Sequence, residues 1–471
     1  MWFRQRHGLQ RFLQFPNKRQ YHTPKPLLED LTQRGFIQDV SRRDLLEQAI
    51  ESRRQTVYVG VDPTARSLHI GHLIPLLCLL HFQLRGHGIV PLIGGATGRV
   101  GDPSGRLVER QLAEKEQIEA NVVSLTQSIQ QFFRNALSYA TTRLTLPQDA
   151  TTAEPRIVSN LEWHESFNLL DFLQQVGVHA RVNTMLNRDS VRSRLSSQQG
   201  LSFTEFTYQL LQAYDFYHLH KHFGCTIQIG GSDQWGNIVA GLELIGKKDV
   251  NNNDLEQNPV NAFGITTPLL TTSTGEKFGK SAGNAVWLDS NLTSVFDFYQ
   301  YFLKVTDADV PKYLHLFTLM SSEEIAEVLA VHDSAPEKRV AQHRLAAEVT
   351  EMVHTKSGVK QATVMTNLLF GSQYKDLKAE EVISAFNEDP RLVKTTIQAI
   401  LTTPIAKLAA KHGLVGSNSA ARNLVASRGL YLNGIAIQDA QRCASEDDLI
   451  DSGVLIIRAG KDKMMVLAAT E

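Results

Sequence analysis

Two pairs of basic side chains stand at spacings suited to binding phosphate. His69 and His72 lie three residues apart, where a short apolar strand passes through a polar turn into an apolar helix. Residues i and i+3 of a starting helix share a face, and helix N-termini attract phosphate through unpaired N–H groups. Lys277 and Lys280 repeat this spacing in a Gly- and Ser-bearing loop, which predicts a cationic clamp. The alternatives are that the histidines only cap or pack, and that the lysines belong to a solvated turn.

The elements around these residues follow the pattern of a parallel sheet. Residues 56–61 and 89–93 read as buried strands on either side of a helix, and such βαβ units build parallel sheets. A third strand, residues 225–229, leads through a glycine pair into another helix. Ligands bind at such turns, beyond the carboxyl ends of parallel strands. The glycine-rich loop 94–106 could also approach a ligand closely, although it matches neither a Walker A loop nor a dinucleotide fingerprint.

Polar side chains near these turns are candidates for holding a small polar ligand. A helix over residues 203–216 places Tyr208, Gln212 and Asp215 on one face, which could instead be a solvated face. Asp102 and Asp233 have a simpler interpretation as caps of a turn and a helix. Residues 41–44 read Ser-Arg-Arg-Asp before an apolar run and predict a capping box that opens a helix.

Composition bounds the class of protein. The chain has 471 residues, 42% of them apolar and 21% charged, which predicts about three domains in an ordinary globular protein. It contains no run of eighteen apolar residues, so no membrane-spanning helix is expected. The cysteines Cys78, Cys225 and Cys443 have neither zinc-site spacing nor a disulfide framework.

The two ends of the chain differ from the rest in composition. The first 28 residues carry six basic groups among apolar side chains, and no acid precedes Glu29. This is typical of a mitochondrial transit peptide; the alternative is a disordered basic arm that binds RNA. From residue 403, two helices and an Asn-Gly hairpin carry basic groups that predict an RNA-binding module, or otherwise a solvated basic face: Lys407, Lys411, Arg422 and Arg428.

Taken in order, these strings resemble tyrosyl-tRNA synthetases of the bacterial and mitochondrial kind, which are class I aminoacyl-tRNA synthetases. Residues 69–72 match the HIGH signature of that class, and residues 277–281 match its lysine-loop signature. Phe278 and Gly279 stand where many members of the class have Met and Ser. Residues 58–64, 94–102, 208–215 and 228–234 match strings of the tyrosine enzymes, and the C-terminal module resembles an S-four-like RNA-binding domain.

The resemblance implies an α/β fold with three domains after a transit peptide at residues 1–28. A Rossmann-like parallel-sheet catalytic domain is expected over 29–288, with a helical insertion at about 106–200. An α-helical anticodon-binding domain would follow over 289–402, and the S-four-like domain over 403–471. The resemblance further implies a homodimer in the mitochondrial matrix. Its substrates would be L-tyrosine, ATP with Mg²⁺, and tRNA(Tyr), and no protein-held metal or prosthetic group is expected.

The resemblance also assigns roles to individual residues. Tyr58 and Asp215 would bind the phenolic hydroxyl of tyrosine. Tyr208, Gln212 and Asp102 would surround its ammonium group, with Asp62, Thr97, Gln228 and Gln234 nearby. Thr64, His69, His72, Lys277 and Lys280 would act on the phosphates. The ATP site would further include Asp62, Gly71, Gly231, Asp233, Phe278, Gly279 and Ser281.

Three rival functions stay open at this point. One of them, another nucleotidyltransferase with a HIGH-like turn, does not easily account for the C-terminal RNA-binding module. A tryptophanyl-tRNA synthetase has the same fold, but Tyr58 and Asp215 form a pair suited to reading a hydroxyl. A non-catalytic RNA-binding or assembly factor of the same fold is opposed by the presence of both histidines and both lysines.

Overall fold

The computed structural model of the chain describes most of its residues and divides them into two compact units. One unit comprises Met1–Ser294 and Gln300–Val353, and the other comprises Val295–Tyr299 and His354–Glu471. The described residues are 19–20, 25–105, 114–146, 154–196, 200–249, 261–273, 278, 280–281, 284–370, 377–387, 389–460 and 463–470.

A six-stranded sheet forms the centre of the first unit. Across the sheet the strands are Asp39–Val40, Phe263–Thr267, Cys225–Gly231, Thr56–Val61, Gly88–Ile93 and Val158–Ser159. All neighbours are parallel except Asp39–Val40, which pairs antiparallel at one edge. The central strands are buried apolar runs, as strands covered on both faces require. The predicted mixed α/β class with a parallel sheet is therefore confirmed.

The helices of the first unit surround this sheet. They are Leu27–Arg34, Arg43–Ser52, Leu73–Gln83, Thr97–Val100, Lys115–Arg143, Leu161–His164, Leu169–Gln175, Val182–Leu186, Asp189–Leu195, Phe203–Phe223, Trp235–Asp249, Val310–Phe317 and Ser322–Ser334. Single 3₁₀ turns occupy Ile70–His72, Gly177–His179, Ser232–Gln234 and Pro336–Lys338. Val295–Leu303 and Val340–Phe370 contain residues of both units, and the second is broken at Thr355, whose φ is +67°.

Helix Leu73–Gln83 is apolar on every side and almost wholly buried. Such a helix belongs in a core, and this one packs against the strands Thr56–Val61 and Gly88–Ile93. Because it follows the first of these strands directly, its N-terminal end lies at the carboxyl edge of the sheet. That end carries the two predicted histidines.

The long helix Lys115–Arg143 is bound near both ends. Near its start, the Asn121 amide donates to the carbonyl of Pro63 at 2.9 Å and so holds the turn after strand Thr56–Val61. At its end, Arg143 forms buried ion pairs with Glu348 at 2.9 Å and with Glu351 at 2.7 Å. Buried pairs of this kind leave an uncompensated charge if one partner is removed, so they fix the helix in place.

The predicted capping box at residues 41–44 is wrong. The helix begins at Arg43, its N-cap Arg42 has a left-handed φ of +46°, and no side chain caps it. Ser41 instead accepts a hydrogen bond through its hydroxyl from the backbone N–H of Gly264, at 2.8 Å. The Ser41 hydroxyl, which the local pattern predicts as a helix cap, therefore binds a residue of strand Phe263–Thr267 instead.

The second unit contains a five-stranded sheet. Its order is Leu392–Thr396, Lys463–Thr470, Val454–Ala459, Leu430–Leu432 and Ile435–Ala436. The helices within it are Ala379–Ala385, Ile397–Thr402, Ile405–Lys411 and Asn418–Ala426, with a 3₁₀ turn at Glu446–Asp448. The predicted Asn-Gly hairpin is confirmed, since Asn433 and Gly434 both have the positive φ that its turn requires. The boundaries of the predicted domains stay predictions.

None of the helices in the described part of the chain is long and apolar enough to cross a membrane.

Candidate active site

A cavity of about 380 Å³ opens at the carboxyl edge of the six-stranded sheet. The predicted residues that line it are Tyr58, Asp62, Thr64, His69, Gly71, His72, Thr97, Asp102, Tyr208, Gln212, Asp215, Gln228, Gly231, Asp233, Gln234 and Phe278. Lys277 and Gly279 lie outside the described residues, and for Lys280 and Ser281 only the backbone of the strand Lys280–Ser281 is described. The four predicted RNA-binding residues belong to the second unit, where all four side chains are exposed.

His69 and His72 cap the same turn reciprocally. The backbone N–H of His69 donates to Nδ1 of His72, and the N–H of Gly71 donates to Nδ1 of His69, both at 3.1 Å. The rings stack with their centroids 3.9 Å apart. Because each Nδ1 accepts a hydrogen bond, the ring hydrogen of each neutral imidazole must be on Nε2. The predicted capping alternative is therefore observed, and it is compatible with phosphate binding because the capping bonds use only Nδ1 of each ring.

Gly71 is required by the position of the His69 ring. A Cβ atom at residue 71 would lie 2.9 Å from Cε1 and 3.0 Å from Nδ1 of that ring. The ring could not then both accept from the backbone of the turn and stack on His72. The glycine of this signature is thus explained by the histidine two residues before it.

The segment after the lysine loop is paired with the histidine turn. The N–H of Ile70 donates to the carbonyl of Val286 at 2.9 Å, and the N–H of Leu288 donates to the carbonyl of Leu68 at 2.8 Å. Between them, the ring of Trp287 lies 6.1 Å from the ring of His69. The histidine turn is therefore joined by backbone hydrogen bonds to the segment that follows the lysine loop.

The base of the lysine loop is anchored in the first unit. Ser273 donates through its N–H and its hydroxyl to Asp309. Burial raises the pKa of Asp309, but hydrogen bonds from Ser273 and Thr306 outweigh it and hold that pKa below its ordinary value. Phe278, between the two lysines, is buried against four aromatic rings and stacks on Phe317 with the centroids 5.1 Å apart; the other three are Tyr301, Phe302 and Tyr313.

Asp62 connects the turn after the first central strand with the loop after the second. It accepts from the hydroxyl of Thr97 at 2.7 Å and from that of Tyr208 at 2.8 Å. Burial, together with the charge of Asp62, raises the pKa of Tyr208 well above its usual value, so this hydroxyl stays a donor. Gly94 makes the arrangement possible, since a Cβ atom there would lie 2.0 Å from Oδ1 of Asp62.

Tyr58 and Asp215 form one buried end of the cavity. The hydroxyl of Tyr58 has no hydrogen-bond partner among the described residues. Burial and the nearby charge of Asp215 raise its pKa well above the usual value, so it carries its hydrogen at neutral pH. Asp215 is 2% exposed and accepts from three side chains. A buried donor without a partner beside a carboxylate suits a ligand hydroxyl, which both donates and accepts.

Asp102 lines the cavity and belongs to a second polar network. Its Oδ1 accepts from the N–H of Ser104 at 2.9 Å, so it does close a turn, while its Oδ2 accepts from Gln234 at 2.7 Å. The Asn237 amide donates onward to Gln212 at 3.0 Å and to Gln234 at 3.1 Å. Burial raises the pKa of Asp102 despite these hydrogen bonds. A bound cation would favour the ionised form of Asp102 and so lower its pKa.

The Asp233 carboxylate lies between two glycines. A Cβ atom at Gly231 would be 2.5 Å from its Oδ1, and one at Gly105 would be 3.3 Å from its Oδ2. Gly105 also has a φ of +68°, which residues with a side chain rarely adopt. The chain therefore leaves this carboxylate accessible from the cavity, as a site for ribose hydroxyls requires.

Asn160 contacts several residues of the candidate site, and it is not among the site residues predicted from the sequence. It is completely buried, and its Oδ1 accepts from the N–H of Ala96 at 2.7 Å. Its Nδ2 donates to Thr97 and to Asp215, both at 3.0 Å. The signal that could have found it is its position directly after the parallel strand Val158–Ser159, at the edge where ligands bind. Trp163, His164 and Asn237 were missed as well.

Comparison with known proteins decides between the rival readings of this cavity. The family described as tRNA synthetases class I (W and Y) matches residues 51–371. The mitochondrial tyrosine–tRNA ligase of Saccharomyces cerevisiae is 42% identical over 94% of this chain and 88% of its own length. Tyrosine–tRNA ligase 1 of Bacillus subtilis is 40% identical over 94% of this chain and 99% of its own.

This chain belongs to the class I tyrosyl-tRNA synthetases. A solved structure agrees: the C-terminally truncated mitochondrial tyrosyl-tRNA synthetase of Aspergillus nidulans superimposes with a TM-score of 0.67 at 35% identity. The match covers 78% of this chain and all of that structure. The tyrosine–tRNA ligases named above match nearly the whole of this chain. The alternative, a tryptophanyl-tRNA synthetase, is therefore not supported.

Within the described part of this synthetase, no three His, Cys, Asp or Glu side chains are grouped as metal ligands. The residues around the cavity instead offer donors to phosphate and acceptors to hydroxyl and ammonium groups.

Proposed function

We propose that the cavity binds L-tyrosine beside ATP, joins them as tyrosyl-adenylate with release of pyrophosphate, and transfers the tyrosyl group to the 3′ end of tRNA(Tyr). The observation that carries this proposal is the buried pair Tyr58 and Asp215. An unpartnered hydroxyl donor stands there beside a carboxylate acceptor. A phenolic hydroxyl satisfies both at once, because it accepts from Tyr58 and donates to Asp215.

The same pair supports selection against phenylalanine. A phenylalanine ring would leave the Tyr58 hydroxyl and one acceptor site of Asp215 buried without partners. Sites built to bind a substrate hydroxyl reject the analogue that lacks it by about 10⁴- to 10⁵-fold. Selection of this size makes a separate editing domain unnecessary.

The amino end of tyrosine lies toward the second polar network. Asp102 supplies the negative charge for the ammonium group, and Tyr208 and Gln212 line the cavity beside it. Asp62, Thr97, Gln228 and Gln234 complete this side of the cavity. The Oε1 atom of Gln228 is buried and unpartnered among the described residues, which leaves it to accept from a ligand N–H.

ATP occupies the side of the cavity that the histidine turn borders. Nε2–H groups of His69 and His72, with the Thr64 hydroxyl, donate to the phosphates, and Gly231 and Asp233 hold the ribose. Lys277 and Lys280 neutralise the departing pyrophosphate, and Mg²⁺ arrives with ATP as part of the substrate. The tyrosine carboxylate is already ionised and attacks the α-phosphorus without a general base. The rate therefore comes from orientation and charge stabilisation.

Exchange of labelled pyrophosphate into ATP, with each amino acid in turn, tests the proposal. We expect exchange with tyrosine and about 10⁴-fold less efficient exchange with phenylalanine. Exchange with tryptophan alone would establish the tryptophan enzyme. No exchange with any amino acid, from protein that binds tRNA, would establish the non-catalytic RNA-binding factor.

The α-helical domain over residues 289–402 and the S-four-like domain over 403–471 bind tRNA(Tyr). Support comes from Lys407, Lys411, Arg422 and Arg428, all exposed in the second unit. Exchanging these four residues for glutamine should weaken tRNA binding. The slope of the logarithm of the binding constant against the logarithm of the salt concentration should become less steep by about one for each lost phosphate contact. Pyrophosphate exchange should not change. Lys394→Gln, another exposed basic residue of this unit, is the matched control.

The chain forms a homodimer through an exposed apolar surface of the first unit. Its members are exposed by 40–77%: Leu169, Leu170, Leu173, Val178, Val182, Leu186, Leu195 and Phe203. Support comes from their number and their closeness along the chain, since large exposed apolar side chains that gather in one region mark protein interfaces. Sedimentation should give twice the chain mass for the wild type and a monomer for Leu170→Asp with Val182→Asp. Val123→Asp, 60% exposed on another helix, should stay dimeric; a monomeric wild type would overturn the assignment.

The enzyme works in the mitochondrial matrix, to which residues 1–28 direct it. The basic, acid-free leader supports this assignment. Leu27 and Leu28 are buried in helix Leu27–Arg34, so we expect cleavage to occur before this helix, two residues short of the bound at residue 28 that composition indicates. N-terminal sequencing of the protein from isolated mitochondria checks both points, and a matrix protein that still starts at Met1 would contradict the transit peptide.

A further inference from the structure

The carboxylate that faces the phenolic hydroxyl is held by three side chains from one short segment. Oδ1 of Asp215 accepts from Nε1 of Trp163 at 2.8 Å and from Nε2 of His164 at 2.7 Å. Oδ2 accepts from Nδ2 of Asn160 at 3.0 Å. Since a carboxylate only accepts, the His164 ring must carry its hydrogen on Nε2.

The three donors to Asp215 leave one acceptor site of this carboxylate unoccupied among the described residues. A carboxylate offers about four acceptor sites, two on each oxygen. Trp163 and His164 occupy both sites of Oδ1, and Asn160 occupies one site of Oδ2. The remaining site of Oδ2 is the one that a substrate hydroxyl would fill. The protein donors thus decide which oxygen of Asp215 faces the substrate.

We propose that His164 is a positioning residue for amino-acid selection, which holds Oδ1 of Asp215 so that Oδ2 faces the phenolic hydroxyl of the substrate. This inference rests on the proposed role of Asp215. Without the imidazole donor, Oδ1 has an empty acceptor site, and the carboxylate can rotate to find another partner. The free site no longer has a fixed direction, and the difference between tyrosine and phenylalanine shrinks.

Among the three donors, His164 is the one whose removal tests this role most directly. Asn160 also binds Ala96 and Thr97, so its exchange would disturb the neighbouring loop. The indole of Trp163 is stacked on His218 with the ring centroids 4.4 Å apart. The His164 side chain is 6% exposed, and it packs against the rings of Tyr214 and Phe167. A phenylalanine at this position keeps an aromatic ring and removes the donor.

The experiment compares His164→Phe with His164→Gln and with the control His218→Phe. Glutamine retains an N–H donor at similar reach. Burial lowers the pKa of His218 to about 4, so its exchange for phenylalanine removes no charge at neutral pH. For each full-length variant, kcat/KM for tyrosine and for phenylalanine, KM for ATP and the melting temperature are measured.

We expect His164→Phe to lower the tyrosine-to-phenylalanine ratio of kcat/KM about ten- to a hundredfold, the size of one lost hydrogen bond to a charged group. KM for ATP should be unchanged. His164→Gln should recover most of the ratio, and His218→Phe should leave it within about threefold. An unchanged ratio in His164→Phe, or an equal fall in His218→Phe, would overturn the inference.

Asp215→Asn, measured in parallel, separates this inference from the proposed site. If Asp215→Asn leaves the ratio unchanged, the assignment of the phenol site itself is wrong. If it lowers the ratio while His164→Phe does not, only the role of His164 is wrong.

A measurement on the wild-type protein covers the case in which His164→Phe does not fold. With ¹⁵N-labelled histidine, the Nε2–H bound to a carboxylate gives a downfield proton resonance, assigned by its loss in His164→Gln. Tyrosine should shift this resonance because it donates to the same carboxylate, and phenylalanine should not. An equal shift with both amino acids would refute the role.

Discussion

The imidazole of His69 stacks on that of His72 while each ring accepts a backbone hydrogen bond through Nδ1. A single turn thus sets the orientation and the tautomer of both rings. The hydrogen on Nε2 of each ring follows from backbone geometry rather than from the ligand. If these rings bind the phosphates as proposed, the donors are in place before ATP arrives, which is how preorganised electrostatic stabilisation works.

His69→Asn separates the two functions of this side chain. The asparagine Oδ1 can still accept from the backbone, but the Nε2–H donor is lost. We expect adenylate formation to slow about 10²- to 10³-fold, as when one preorganised donor is removed. Tyrosine affinity and melting temperature should be preserved. Single-turnover formation of tyrosyl-adenylate measures this, and a rate equal to that of the wild type would exclude His69 from the phosphate site.

Gly94→Ala should damage the tyrosine site without unfolding the protein. The added methyl group would lie 2.0 Å from Oδ1 of Asp62 and 2.3 Å from Oγ1 of Thr97, so their hydrogen bond must break. Loss of a hydrogen bond to a charged group weakens binding about tenfold or more. Equilibrium dialysis with tyrosine checks the affinity.

The matched control for this prediction is Gly236→Ala. A Cβ atom there meets its nearest neighbour, Arg188, at an ordinary 3.5 Å. The residue lies within helix Trp235–Asp249, where alanine is favoured over glycine. Tyrosine affinity should be unchanged in this variant, and an equal loss in both would assign the effect to general destabilisation.

Tyrosine binding should weaken as the pH falls through the raised pKa of Asp102. Burial raises the pKa of Asp102, so the folded protein holds this proton more tightly than the unfolded chain does. Ionisation of Asp102 therefore lowers stability as the pH rises through its pKa, and the tyrosine ammonium offsets that loss. The rise in melting temperature caused by tyrosine should be larger at neutral than at acidic pH. In Asp102→Asn the rise in melting temperature caused by tyrosine should be small and nearly independent of pH. If this variant kept the pH dependence of the wild type, another titrating group would be responsible.

Phe278→Ala should impair both stability and ATP use. Removing a phenylalanine from a packed core costs on the order of 3 kcal/mol, which would lower the melting temperature by several degrees. Because Phe278 stands between the two lysines and packs on Phe317, KM for ATP should rise as well. Phe278→Met conserves most of the volume and should cost less than about 1.5 kcal/mol. A destabilised Phe278→Ala with an unchanged KM for ATP would limit this residue to packing.

The parts of the fold that follow from local pattern could be predicted from the sequence. Strands such as Thr56–Val61 are short apolar runs that end in turns, and their type does not depend on distant residues. The rule that parallel strands place their carboxyl ends at one edge predicts that the turns after residues 61, 93 and 229 lie together, and residues from all three line the cavity. The pairing of Tyr58 with Asp215, which lies in helix Phe203–Phe223, does not follow from that rule and was implied only by the resemblance to the family.

The residues that depend on distant partners could not be predicted in this way. Ser41 has the sequence context of a cap, but Gly264, 223 positions later, takes its hydroxyl. Asn160 and His164 belong to no repeating pattern, and their importance comes from Asp215, 55 and 51 positions away. Which of several possible hydrogen bonds forms is decided by tertiary packing, and a single sequence does not contain that information in local form.

Asn160 fixes the distance between Asp215 and Thr97 in the wall of the cavity. Its one amide nitrogen binds Asp215 at the phenol end and Thr97, which in turn binds Asp62, toward the reacting end. The amide is planar and completely buried, so the separation of these two ends is fixed within the protein rather than adjusted to the ligand. If Asp215 binds the phenolic hydroxyl as proposed, the cavity also selects the position of that hydroxyl on the ring, and an amino acid with its ring hydroxyl in the meta position should be rejected like one that lacks it.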